Sequence, residues 1–214
     1  MKYTIFDRLG CIPELAVGFE RLGIETVFPR VILIGEEDSK TELLESLTGF
    51  EHPDDSGSYS TFLESPGLVA GVLESEAPVC WSEIRVVDVE FDLDQIKKYI
   101  EPTSSVIVVV IDAGEDLPDD ILNLVAQIDP KYERTLGVLS CIDSVGIKMV
   151  ANHLLCNDLK LGFKLVGYSG QDQFVEDHSF YSHLPFGYAG TDAVIEHVGQ
   201  LASRVFCNHL QQKS

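Results

Sequence analysis

Residues 31–49, VILIGEEDSKTELLESLTG, decide the reading of this chain. Val31–Ile34 is a short unbroken apolar run, the pattern of a strand buried on both faces of a parallel sheet. Thr41–Leu47 follows with Leu43, Leu44 and Leu47 at helical spacing, and Gly49 supplies a stop. Strand, turn and helix in this order are the layout of a phosphate-binding loop. Such a loop reads G-x-x-x-x-G-K-[ST], and its glycine amides wrap the phosphates. Here Gly35 is followed by Glu36, Glu37, Asp38, Ser39, Lys40 and Thr41. The run is one residue short, a serine replaces the second glycine, and three carboxylates stand where a triphosphate would sit.

The chemistry of that substitution is adverse to phosphate. Two like unit charges about 4 Å apart repel by roughly 1 kcal/mol in water and about 4 at an effective dielectric near 20. Three acids around a triphosphate therefore outweigh one lysine. The plain reading is a solvated turn, Glu36-Glu37-Asp38, that caps the following helix and leaves Lys40 exposed.

Outward from this stretch, strands alternate with helices. Strands are expected at Leu68–Leu73, Ile84–Val89, Val106–Ile111, Thr135–Ile142 and Phe163–Val166. Helices are expected at Asp94–Ile100, Asp119–Ile128, Val145–Leu155 and from Asp192 to about Leu210. Residues Phe50–Pro66 are rich in Asp, Ser and Gly and read as a long loop. Ile5–Leu22 has apolar residues at helical spacing, broken by Gly10 and Pro13. The alternation predicts a three-layer α/β domain with a mostly parallel central sheet.

Composition sets the bounds. The 214 residues, 45% hydrophobic, suffice for one buried core. No run is long enough for a bilayer span, and no basic-then-apolar leader opens the chain. Cys11, Cys80, Cys141, Cys156 and Cys207 are odd in number and scattered, which predicts a reducing, cytoplasmic setting. A net charge of −20 argues against nucleic acid and anionic membrane as direct partners, and equally serves solubility.

Several segments together resemble the GTPase domain of the dynamin superfamily. Phe28-Pro29-Arg30 leads into the phosphate loop, and Leu44–Gly49 is similar to the helix after it. Ile128-Asp129-Pro130 through Arg134-Thr135-Leu136-Gly137-Val138-Leu139-Ser140-Cys141-Ile142-Asp143 is close to that family's DP…RTIGVLTKLD segment. Leu159–Phe163 matches the strand before the second base-contacting loop, and Phe180-Tyr181 with Gly190-Thr191 is similar to its FF…GT region. The resemblance spans about residues 3–210. It implies a P-loop NTPase-like, dynamin-type G domain over residues 1–214, with a helical lead-in over 1–30 and an α/β core over 31–210. It also implies no stalk and no lipid-binding module.

The resemblance further implies GTP and Mg²⁺ as ligands. Gly35, Ser39 and Lys40 would form the phosphate loop, and Thr41 would be the magnesium-binding hydroxyl. Thr61, with Ser60 beside it, is the candidate first-switch residue. Asp88 would open the second switch, Ser140 and Asp143 would lie in the base-reading motif, and Gln171 in the second base loop. The departures fall at the same places. Phe91 replaces the glycine of D-x-x-G, Cys141 replaces the lysine of [TN]-K-x-D, and the loop after Asp88 is short. Each surviving acid also has a bland account as the polar end of a strand.

Other chemistry is thin. Gly167-Tyr168-Ser169-Gly170-Gln171 misses the G-x-S-x-G elbow at its last position, although Asp192 and His197 follow in hydrolase order. The six histidines have no spacing suited to metal ligation. Two functions remain open. One is a GTPase using Lys40, Thr41, Asp88, Asp143 and Gln171. The other is a pseudo-GTPase that binds a protein, an intact dynamin-like relative being one candidate. Residue chemistry favours the second.

Overall fold

The computed structural model describes residues 21–23, 29–35, 37–48, 83–88, 93–115, 119–155, 163–167, 181–185 and 187–213. In chain order the elements are β1 (Arg30–Gly35), α1 (Glu37–Thr48), β2 (Glu83–Asp88), α2 (Leu93–Ile100) and β3 (Ser105–Asp112). There follow α3 (Asp119–Ile128), β4 (Thr135–Ser140), α4 (Ile147–Leu155), β5 (Phe163–Leu165) and α5 (Thr191–Lys213). The strands form one sheet in the order β2-β1-β3-β4-β5, and every neighbouring pair is parallel. The expected three-layer α/β architecture is therefore observed. The Leu68–Leu73 strand, the Phe50–Pro66 loop and all but the last two residues of the Ile5–Leu22 segment lie outside the described residues.

The apolar runs go to the middle of the sheet because both of its faces are covered. Side chains of successive strand residues alternate between faces. Val31, Leu33, Val106, Val108, Val110, Leu136 and Val138 pack with Leu43, Leu44 and Leu47 of α1 and with α5 from Val194 to Phe206. Ile32, Ile34, Ile107, Val109, Ile111, Leu139, Phe163 and Leu165 pack on the other face with α2, α3 and α4. Each such side chain, fully buried, contributes roughly 1.5–3 kcal/mol relative to exposure. An unbroken apolar strand is thus what a doubly covered sheet demands.

The amino-terminal edge of the sheet is closed by a polar knot. Asp129 is buried and accepts from the Glu133 amide at 3.1 Å, the Arg134 amide at 3.0 Å and Thr135 Oγ1 at 2.7 Å. Arg134 Nη1 donates to the carbonyls of Pro102 (3.1 Å) and Ser105 (2.8 Å). Burial lowers the Arg134 pKa, and Asp129 partly opposes that. The Asp-Pro and Arg-Thr pairs of the family-like segment therefore act in the fold, away from the crevice.

Gly137 has a similar packing role. A Cβ built there would lie 2.6 Å from two ring carbons of Phe163, so the glycine is what lets that ring cross β4.

Candidate functional site

Open α/β sheets bind ligands beyond the carboxyl ends of their strands, where the strand order reverses. Here the chain leaves β1 for β2 on one side and returns to β3 on the other, so the reversal lies between β1 and β3. Gly35 ends β1 beside Asp88, its register partner at the end of β2. Toward β3 the backbones are close: a Cβ on Gly35 would lie 2.2 Å from the Val110 carbonyl oxygen. No other residue type fits that position without moving β3.

A single residue, Glu36, separates the end of β1 from the start of α1. The expected free turn over Glu36-Glu37-Asp38 is corrected here, since Glu37 and Asp38 already belong to the helix. Acidic residues are favoured in a first turn by the partial positive charge of the helix start. The expected exposure of Lys40 is corrected as well. Its relative exposure is 1%, and Ser39 beside it is at 3%. Ser39 in this first turn reaches β3 through Asp112. Thr41 continues α1 directly after Lys40.

From the other wall comes Asp112, the last residue of β3 and paired in register with Ser140. Its Oδ1 accepts from the Gly114 amide at 2.6 Å, and its Oδ2 lies 3.5 Å from Ser39 Oγ, at the outer limit of a hydrogen bond. Ser140 is buried and donates from Oγ to the Ile111 carbonyl at 3.2 Å, so its hydroxyl serves the sheet. Cys141 follows with φ at 54°, in the left-handed region that few non-glycine residues adopt. Its thiol is buried and lies 4.0 Å from Glu42 Oε2 across the crevice. Burial first, then the hydrogen bond and charge of Asp112 and the charge of Glu42, push that thiol up to about 12.

Asp143 is half-buried in the turn after β4, a turn held by Ser144 Oγ donating to the Cys141 carbonyl at 2.7 Å. Asp143 lies near Tyr181, whose hydroxyl pKa is raised by burial and secondarily by that carboxylate. His153 is buried with Nε2 3.2 Å from the Ala113 carbonyl. Thr61 and Gln171 lie outside the described residues. The fold thus gathers Gly35, Ser39, Lys40, Thr41, Asp88, Ser140 and Asp143 along one edge of the sheet. It adds Asp112 and Glu42, which the motif pattern did not single out. The signal for Asp112 was present, as the polar residue ending the strongest apolar strand. The signal for Glu42 was absent, because its tie to Cys141 spans 99 positions. Among the described residues no group of three or more His, Cys, Asp or Glu side chains converges to hold a metal ion.

This is the arrangement of a P-loop NTPase-like domain. No protein-family model matches the chain. Over 132 residues, 58% of its length, it is 28% identical to the interferon-induced GTP-binding protein Mx of Gallus gallus. Over 115 residues, 53% of its length, it is 29% identical to Dynamin-B of Dictyostelium discoideum. Over 84 residues, 39% of its length, it is 31% identical to dynamin-related protein 12A of Glycine max. The chain spans only 17%, 12% and 12% of these relatives. Among solved structures it is similar to LeoA, a bacterial dynamin GTPase from ETEC, with a TM-score of 0.53 and 16% identity. That match covers 98% of this chain and 44% of the other. The shared fold is that of a dynamin-type G domain, and with the sequence matches it supports kinship with the dynamin superfamily.

Proposed function

We propose that this chain is a degenerate dynamin-like G domain, a pseudo-GTPase that works by binding a protein and turns over little or no nucleotide. The observation that carries this reading is the single residue between β1 and α1. A phosphate cradle needs a loop of several free amides wound around the ligand, and one residue cannot supply it. The side chains nearby make the same case. Asp112 and Glu42 bring carboxylates to the crevice, and Cys141 offers a thiol where the family's base-reading lysine would pack. The residues present do not fit a magnesium-bound guanosine triphosphate.

Kinship favours an intact dynamin-like relative as the protein partner. The charge of −20 disfavours nucleic acid and direct contact with anionic membrane. Among the described residues no helix is long and apolar enough to cross a membrane. A cytoplasmic setting is part of the same proposal, resting on the scattered cysteines.

One observation favours the rival reading, an active GTPase with Mg²⁺. Lys40 and Ser39 are buried beside the crevice, where phosphate ligands of such a domain would stand. A thermal-shift titration of the full chain with GTP and magnesium, with ATP as control, separates the two. A ligand at a hundred times its Kd stabilises by about 2.7 kcal/mol, which for a domain of this size raises Tm by roughly 5–10 °C. The expected shift is below about 1 °C. A magnesium-dependent rise of several degrees with GTP, lost in Lys40→Ala, would establish the active enzyme instead.

A further inference from the structure

The geometry points to Asp112 as a resident anion, a carboxylate that takes the acceptor position a ligand oxyanion would need and so makes the crevice exclude polyphosphate. The inference rests on the pseudo-GTPase reading and assigns the exclusion to one residue.

Two donors from two segments meet this carboxylate. The Gly114 amide comes from the turn after β3 and the Ser39 hydroxyl from the first turn of α1. Amides and hydroxyls at a strand-to-helix junction are the groups that normally receive phosphate oxygens. Here they are directed at a side chain of the protein itself. The first-turn hydroxyl is turned to Asp112 and not outward, and the Gly114 contact is short. Beyond Cys141 lies Glu42, so an entering anion meets a second carboxylate after displacing the first.

The residue is also well placed to act without being part of the core. Asp112 is half-buried, its neighbours in β3 are apolar, and among the described residues its two oxygens take hydrogen bonds from groups at the crevice edge. Asparagine in its place keeps an oxygen for the Gly114 amide and removes the charge. Repulsion between unit charges about 4 Å apart, taken between water and a dielectric near 20, corresponds to a gain in anion affinity of about fivefold or more.

The test is calorimetric titration of the full chain with inorganic pyrophosphate, comparing the unaltered protein with Asp112→Asn and Asp112→Ser. The expected result is no binding at millimolar pyrophosphate for the unaltered protein and at least about fivefold tighter binding for a folded variant. The gain should shrink as salt is raised, because it is a charge effect. A folded variant that binds no tighter overturns the role of Asp112 and leaves the pseudo-GTPase reading standing. Tight pyrophosphate binding by the unaltered protein overturns the role of Asp112 directly. If it also shows the magnesium-dependent GTP shift, the pseudo-GTPase reading falls too. Loss of fold in both variants makes Asp112 a structural residue and likewise overturns the proposal.

Discussion

Lys40 shows how far one side chain can sit from its sequence-level expectation. A lysine after three acids looks like a solvated residue, yet it is among the largest fully buried side chains of the fold. Burial of a charged head is tolerated only with partners, and the stem adds apolar contact. Lys40→Ala is therefore expected to destabilise the folded chain by about 1–3 kcal/mol. Urea unfolding monitored by far-UV circular dichroism checks this, and an unchanged midpoint would contradict the burial. Lys40→Met, which keeps most of the stem, should separate lost packing from lost charge. The motif made Lys40 legible as a candidate, but its burial was not legible, because that depends on where α1 starts relative to β3. Cys141 was legible as a departure. Its neighbour Glu42 was not, since a contact across 99 positions leaves no local pattern.

At the scale of elements, strands were easier to read than helix starts. Val106–Ile111 is apolar at every position, and only a strand covered on both faces consumes such a run. Asp119–Ile128 was marked at its start by two acids and by the apolar spacing of Ile121, Leu122, Leu124 and Val125. The start of α1 was missed because Glu and Asp serve both loops and first turns. The β4–β5 pair offers a sharp test of packing. Gly137→Ala places a methyl 2.6 Å from the Phe163 ring and is expected to cost about 1–3 kcal/mol. Adding Phe163→Leu should recover part of that loss, although the smaller side chain carries its own cavity cost. A double-mutant cycle by chemical denaturation measures the coupling, and strict additivity would mean that the two residues do not meet.

For the whole molecule the dominant quantity is charge. Thirty-five acids against fifteen bases repel one another in the compact state more than in the extended one. Moderate sodium chloride is expected to raise the melting temperature steadily by screening this repulsion. Magnesium chloride at matched ionic strength should give no additional rise large enough to signal a bound ion. Differential scanning calorimetry in the two salts makes the comparison. A saturating rise at low millimolar magnesium would instead reveal a cation site and favour the enzymatic reading.

The knot formed by Asp129, Arg134 and Thr135 has a consequence for lineage. It lies at the amino-terminal edge, while nucleotide chemistry belongs to the carboxyl edge, so selection on one does not constrain the other. A descendant can abandon its reaction and keep every letter of that knot, because without it β4 would no longer be fastened to the turn before it. Ancestry written in such letters testifies to a shared way of folding and is silent about a shared trade.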